Sequence, residues 1–174
     1  MALLSPFGRA WRSAFATALA VACPLAHADR ASESDVKTAF AYNFVALTSW
    51  PAETPAVLRF CVAGPGSGAL AFGLLAGKAA GERTIAVTHV ASPDRVADCQ
   101  ALYVPPSENA RFDAWIAAAS RSPTLTIGDQ SPPGAIVTLR LAAGRLVFDV
   151  DARAAAGAKL LLSSQLLKLA AVRR

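Results

Sequence analysis

Histidine is nearly missing from this chain: His27 and His89 are the only two among 174 residues. A His-rich metal site is excluded, and any Ser-His-Asp triad would have to recruit His89. Basic residues are scattered singly rather than gathered into a stripe, and only the terminal Arg173-Arg174 pair is adjacent. With 17 Lys and Arg against 12 Asp and Glu, this distribution gives a nucleic-acid backbone no continuous footprint. No apolar run reaches the roughly 20 residues needed to span a bilayer. Internal repeats and long linkers are absent too, so one domain is the economical organisation.

What is present begins with an export signal. Arg9 and Arg12 are the only charges before an apolar stretch of about ten residues from Ser13 to Ala22, and Ala26-His27-Ala28 supplies small residues at alternate positions. Residues 1–28 are therefore expected to be a cleavable signal peptide, and 29–174 the working domain. A lipoprotein acylated at Cys23 is the alternative, although Ala20 stands where a lipobox usually has leucine. Cleavage removes Cys23 and His27. In an oxidising compartment the remaining Cys61 and Cys99 suggest one disulfide; two buried free thiols on adjacent strands are the other option.

Ser34 is a plausible N-cap for a helix carrying Val36, Phe40, Phe44 and Leu47, which Trp50-Pro51 stops. Short strands are expected at 58–63, 84–90, 101–104 and 124–127, with helical segments at 69–75, 94–97 and 108–120 between them. Residues 136–141 and 145–150 read as a hairpin about Ala142-Ala143-Gly144, and helical material at 152–156 and 164–172 closes the chain. Strands alternating with helices predict an α/β fold: a three-layer sandwich, mostly parallel sheet with helices on both faces and a C-terminal antiparallel hairpin.

Gly64, Gly66, Ser67 and Gly68 form a turn between a strand and a helix, as in a dinucleotide-binding loop. Pro65 and the lack of an acidic residue at the end of the next strand argue against a nucleotide, and no cofactor is expected. A small anionic ligand at the turn remains an alternative. Asp149 and Asp151 lie two apart on a strand and so share a face; they could serve acid–base chemistry, or Arg145 or Arg153 could neutralise them. Ser163-Ser164 and Gln165 stand where the last helix begins, a capping position. Trp50, beside a proline, suits a hydrophobic lid or an interface anchor, and the leucine-rich C-terminus suits core with a face left for a partner.

The order of these segments resembles the YfiR family. The matching pieces include Val36-Lys37, Ala39-Phe40, Tyr42-Asn43-Phe44, Trp50-Pro51, Leu58-Arg59-Phe60-Cys61-Val62 and Gly64. Further pieces are Gly77-Lys78, Cys99, Gly134, Val147-Phe148 and the run from Leu162 through Ser163-Ser164-Gln165-Leu166-Leu167-Lys168 to Ala170. The resemblance implies a periplasmic α/β domain that regulates rather than catalyses. It would bind the periplasmic domain of an inner-membrane diguanylate cyclase, repress cyclic di-GMP synthesis and influence biofilm formation. A sensor kinase is an alternative partner, an outer-membrane lipoprotein a further one, and a homodimer is open. Cys61 and Cys99 match a disulfide pair of the family. A second cysteine pair near the hairpin is absent here, and Val137 and Asp151 replace residues often asparagine, which puts the hairpin's partner surface in doubt. Trp50, Gln165 and Lys168 are the candidate partner-binding residues; no catalytic or metal-ligating residue is expected.

Overall fold

A computed structural model describes residues 32–65 and 71–173. The expected signal peptide, the Cys23 alternative and the turn residues Gly66, Ser67 and Gly68 lie outside the described residues. Helix α1 (Glu33–Ala46) is capped by Ser32, not Ser34: the Ser32 hydroxyl accepts from the Asp35 amide while the Asp35 carboxylate accepts from the Ser32 amide. Ser34 sits two residues further in, and its hydroxyl accepts from the Ala71 amide at 2.9 Å.

The described residues form ten strands: β1 (Thr48–Ser49), β2 (Val57–Ala63), β3 (Ala79–Ala80), β4 (Arg83–Val90), β5 (Ala101–Val104), β6 (Leu125–Asp129), β7 (Val137–Ala142), β8 (Arg145–Val150), β9 (Leu161–Leu162) and β10 (Val172–Arg173). Eight form one sheet in the order β10-β8-β7-β6-β5-β2-β4-β3. The run β4-β2-β5-β6-β7 is parallel, and β7 turns back antiparallel into β8 through the expected hairpin. After β4 the chain crosses β2 to reach β5, so the strand order reverses between β2 and β5. The predicted α/β class, mostly parallel sheet and C-terminal hairpin are thus present.

Alternation along β2 builds the two cores. Phe60 and Val62 face one side, where Phe44, Phe72, Tyr103, Leu125, Ile127 and Phe148 gather beneath α1. Cys61 and Ala63 face the other, against Leu102 and Val104 of β5 and Phe112 and Trp115 of helix α2 (Phe112–Ala119). Phe148 meets Phe44 edge-on with ring centroids 4.9 Å apart, and Tyr103 meets Phe72 at 4.6 Å. Cys61 and Cys99 are joined by a disulfide in the second core, with Cα atoms 5.8 Å apart.

Several expected helices are shorter or tighter than their patterns. The segment after the glycine turn is a single 3₁₀ turn, Ala71–Leu75, and the crossover from β4 to β5 is another, Pro93–Val96. The helix expected at 108–120 begins as 3₁₀ (Pro106–Arg111) before becoming α2. Helices α3 (Ala152–Gly157) and α4 (Ser164–Leu169) follow the hairpin, but the helix expected to run to 172 stops at Leu169, and Val172–Arg173 pair with β8 as β10 instead. Among the described residues, no helix is long and apolar enough to cross a membrane.

Candidate functional site

The strands β1 and β9 form a small antiparallel sheet of their own, with Thr48 opposite Leu162 and Ser49 opposite Leu161. The sequence did not announce them, because two-residue strands carry no readable period. Their effect is to join the end of α1 to the C-terminal segment: the Ser163 amide donates to the Leu47 carbonyl at 2.9 Å. Trp50 follows β1 directly. It packs half-buried against the first core, and its buried indole N–H has no acceptor among the described residues.

Helix α4 starts as the sequence suggested, with the Ser163 hydroxyl accepting from the Leu166 amide at 3.1 Å. Leu166 enters the core, whereas Gln165 and Lys168, three apart, look outward. Leu169 beside them is 65% exposed, and Leu161 on β9 is 71% exposed. A pair of large aliphatic side chains so open to water, within one C-terminal segment, suits contact with another molecule. The small sheet ties this segment to the strand that precedes Trp50. The three residues singled out from the sequence therefore lie on elements that the fold joins; Leu161 and Leu169, read there only as part of a leucine-rich stretch, are added to them.

The glycine turn has a different explanation. Gly64 adopts φ +94°, its amide donates to the Val90 carbonyl, and a Cβ there would lie 2.7 Å from Glu108 Oε1. Glu108 is itself buried, accepting from Arg111 and from the Trp115 indole through Oε2. A glycine is needed for packing and for a left-handed backbone, and the group it meets is a carboxylate, which disfavours an anion. Gly64→Ala should lower stability by about 1–3 kcal/mol from strain and displacement of Glu108. Urea unfolding checks this, and an unchanged midpoint would show the packing is not needed.

The carboxylates considered for acid–base work are separated by their partners. Asp149 is held by Arg140, with Arg140 Nε to Asp149 Oδ2 at 2.7 Å, rather than by Arg145 or Arg153. Asp151 caps α3 by accepting from the Ala154 amide at 2.8 Å. Among the described residues no group of three His, Cys, Asp or Glu side chains could hold a metal.

One polar cluster escaped the sequence reading. Lys37 lies on the buried face of α1 and donates to Asp129 Oδ2 at 2.6 Å, with Glu33 2.7 Å away one turn back. Tyr103 donates to the same Asp129 oxygen at 2.5 Å. Burial alone would lower the Lys37 pKa, but the bonds to Asp129 and Glu33 outweigh it and raise the value. Burial, and then the charge of Asp129, push the Tyr103 phenol up. The cluster ties α1 to β5 and β6. A signal existed in principle, since Lys37 shares a helical face with Ala41 and Phe44.

Comparison with known proteins is consistent with this architecture. A solved structure described as a conserved domain protein from Vibrio cholerae O1 biovar El Tor superposes with a TM-score of 0.52 at 13% identity. The alignment covers 67% of this chain and 54% of that one, so this chain spans about half the length of its neighbour; the likeness concerns the fold alone. Comparison with curated proteins gave no match. Residues 34–171 match the family described as YfiR/HmsC-like, from the second residue of α1 to the edge of β10, and the chain belongs to that family.

Proposed function

We propose that the protein is a periplasmic regulatory binding protein that docks on the periplasmic sensor domain of a membrane-bound diguanylate cyclase and represses it. In this reading residues 1–28 direct export and residues 29–174 act as one domain. The observation that carries it is the surface of Leu161, Gln165, Lys168 and Leu169, joined through the β1–β9 pair to Trp50. Exposed aliphatic side chains flanked by an amide, a cation and a tryptophan form the kind of apolar centre with polar rim that partners bury. Family membership supports a regulator over an enzyme, because the matched segment includes this surface.

The test is co-purification of the exported chain with the periplasmic domain of a membrane cyclase encoded nearby, together with cyclic di-GMP levels in the cell. Association at micromolar concentration is expected, with deletion raising cyclic di-GMP. Leu161→Asp and Leu169→Asp should each weaken association at least tenfold, about 1.4 kcal/mol. No association, with cyclase activity unchanged on deletion, would overturn the proposal.

A further inference from the structure

Charge is divided unevenly along this chain. All of its Asp and Glu residues lie at or before Asp151, whereas the segment after it carries Arg153, Lys159, Lys168, Arg173 and Arg174 and no acidic residue. Of these, Arg153, Lys159, Lys168 and Arg173 are exposed, and none has a carboxylate partner among the described residues. Earlier cations are paired instead, Lys37 with Asp129, Arg111 with Glu108 and Arg140 with Asp149. The uncompensated charge coincides with the segment of α3, β9 and α4 that exposes Leu161 and Leu169.

Lys159 occupies a position whose backbone favours glycine. Its φ is +59°, in the left-handed region. Its amide donates to the Ala156 carbonyl, and that of Leu160 to the Ala155 carbonyl, which closes α3 as a glycine ordinarily would. Left-handed backbone is costly for a residue with a Cβ. A cation beyond the carbonyl end of a helix regains a little, but α3 is only 6 residues long. Lys159 also lines a cleft of about 110 Å³ with Ser120, Arg121 and Ser122, just past the end of α2. Arg121 is exposed and has no carboxylate partner among the described residues, and no carboxylate lines the cleft. Two uncompensated cations therefore meet there, at the approach to Leu161.

We infer that this surface is built for an acidic protein face, one whose Asp or Glu side chains meet Arg121, Lys159 and Lys168 while apolar side chains cover Leu161 and Leu169. The inference rests on the docking role proposed above and specifies the chemistry of the partner. Like charges around an apolar centre repel one another in the free protein; an acidic face relieves that repulsion, and basic competitors are turned away. Because these cations are exposed, they act chiefly on the rate of encounter, whereas the leucines act on dissociation. A lysine rather than a glycine at the end of α3 is then a loss of stability retained for binding.

The test is the association rate of the exported chain with the periplasmic domain of the membrane cyclase encoded nearby. Raising NaCl from about 50 to about 500 mM should slow association about tenfold and leave dissociation nearly unchanged. Arg121→Gln, Lys159→Gly and Lys168→Gln should each slow it about threefold, and the triple variant should lose most of the salt dependence. Arg95→Gln, the same change of net charge placed on the crossover from β4 to β5, should leave the rate as it is. Lys159→Gly should also raise the urea midpoint, because glycine takes left-handed backbone without strain. A variant that is more stable yet slower to bind separates binding from packing. A rate flat in salt, or slowed equally by Arg95→Gln, would overturn the inference and leave the docking role standing. No association at about 50 mM NaCl would remove both. Capture of the chain by phosphatidylglycerol vesicles, with a partner rate insensitive to salt, would assign the cations to a lipid surface and overturn the inference as well.

Discussion

Asp129→Ala should lower stability by about 3–5 kcal/mol, a large share of what a domain of this size possesses. Asp129 is 1% exposed, and its carboxylate is the common acceptor for the Lys37 ammonium and the Tyr103 hydroxyl. Removing it leaves a cation and a phenol in an apolar setting beneath α1. Glu33, half-exposed, can compensate Lys37 only in part. The cost comes from the orphaned partners rather than from the pair itself. Replacing all three together, as Lys37→Met, Tyr103→Phe and Asp129→Leu, should therefore recover most of the loss. Urea unfolding of the single and triple variants measures both, and a loss below about 1 kcal/mol for Asp129→Ala would place the pair in the class of weak surface bridges. The same cluster sets an alkaline limit. Both folded-state pKa values lie above the ordinary 10.5 of lysine and 10.0 of tyrosine. Their stabilisation is complete below about pH 10 and lost as pH rises through the folded values. In the triple variant this part of the decline should vanish.

The second large effect concerns the bridge between β2 and the turn leading into β5. Cys61 and Cys99 are 38 apart in sequence. Restoring that freedom to the unfolded chain should lower stability by about 4 kcal/mol in the loop-closure account. Both residues are buried, at 0% and 2% exposed. Cys61→Ala with Cys99→Ala adds the cost of small voids against Leu102 and Trp115. Reduction without substitution separates the two contributions, because it leaves the sulfur atoms in place. The denaturation midpoint of the oxidised protein should exceed that of the reduced protein by the full entropic amount. A difference under about 1 kcal/mol would show that the reduced chain already holds these segments together.

Much of this architecture was legible because local chemistry and tertiary context agree. The strands from Leu58 to Ala63 and from Ala101 to Val104 are short apolar runs bounded by turn residues, and they sit at the buried centre of the sheet. The bridge was suggested by the count of two cysteines left after the expected cleavage in an oxidising compartment, not by their place on these strands. The start of α1 was misplaced because Ser32 and Ser34 are both able caps, and only the reciprocal Asp35 contact at Ser32 decides between them. Residues 71–75 looked α-helical, but the segment is short and held by Ser34 and by β4, so a tighter turn suffices. Lys37 was passed over because only its place on the helical face of Ala41 and Phe44 hinted at burial, while its buried partner Asp129 is 92 positions away in sequence. The outward face of α4 was half legible: Gln165 and Lys168 stood out by polarity, but nothing local shows that Leu169 faces water while Leu166 does not.

The pairing of β1 with β9 orders events in time as well as space. Thr48 meets Leu162, and Leu47 accepts from Ser163, so the end of the first helix is completed by residues synthesised more than a hundred positions later. Until they arrive, the aromatic face of Phe40 and Phe44 waits for Phe148 and Leu166. Contacts of such separation slow folding and prolong exposure of apolar surface. A nascent chain of this design needs shielding until those residues have emerged, and truncation before β9 would deprive the end of α1 of its pairing.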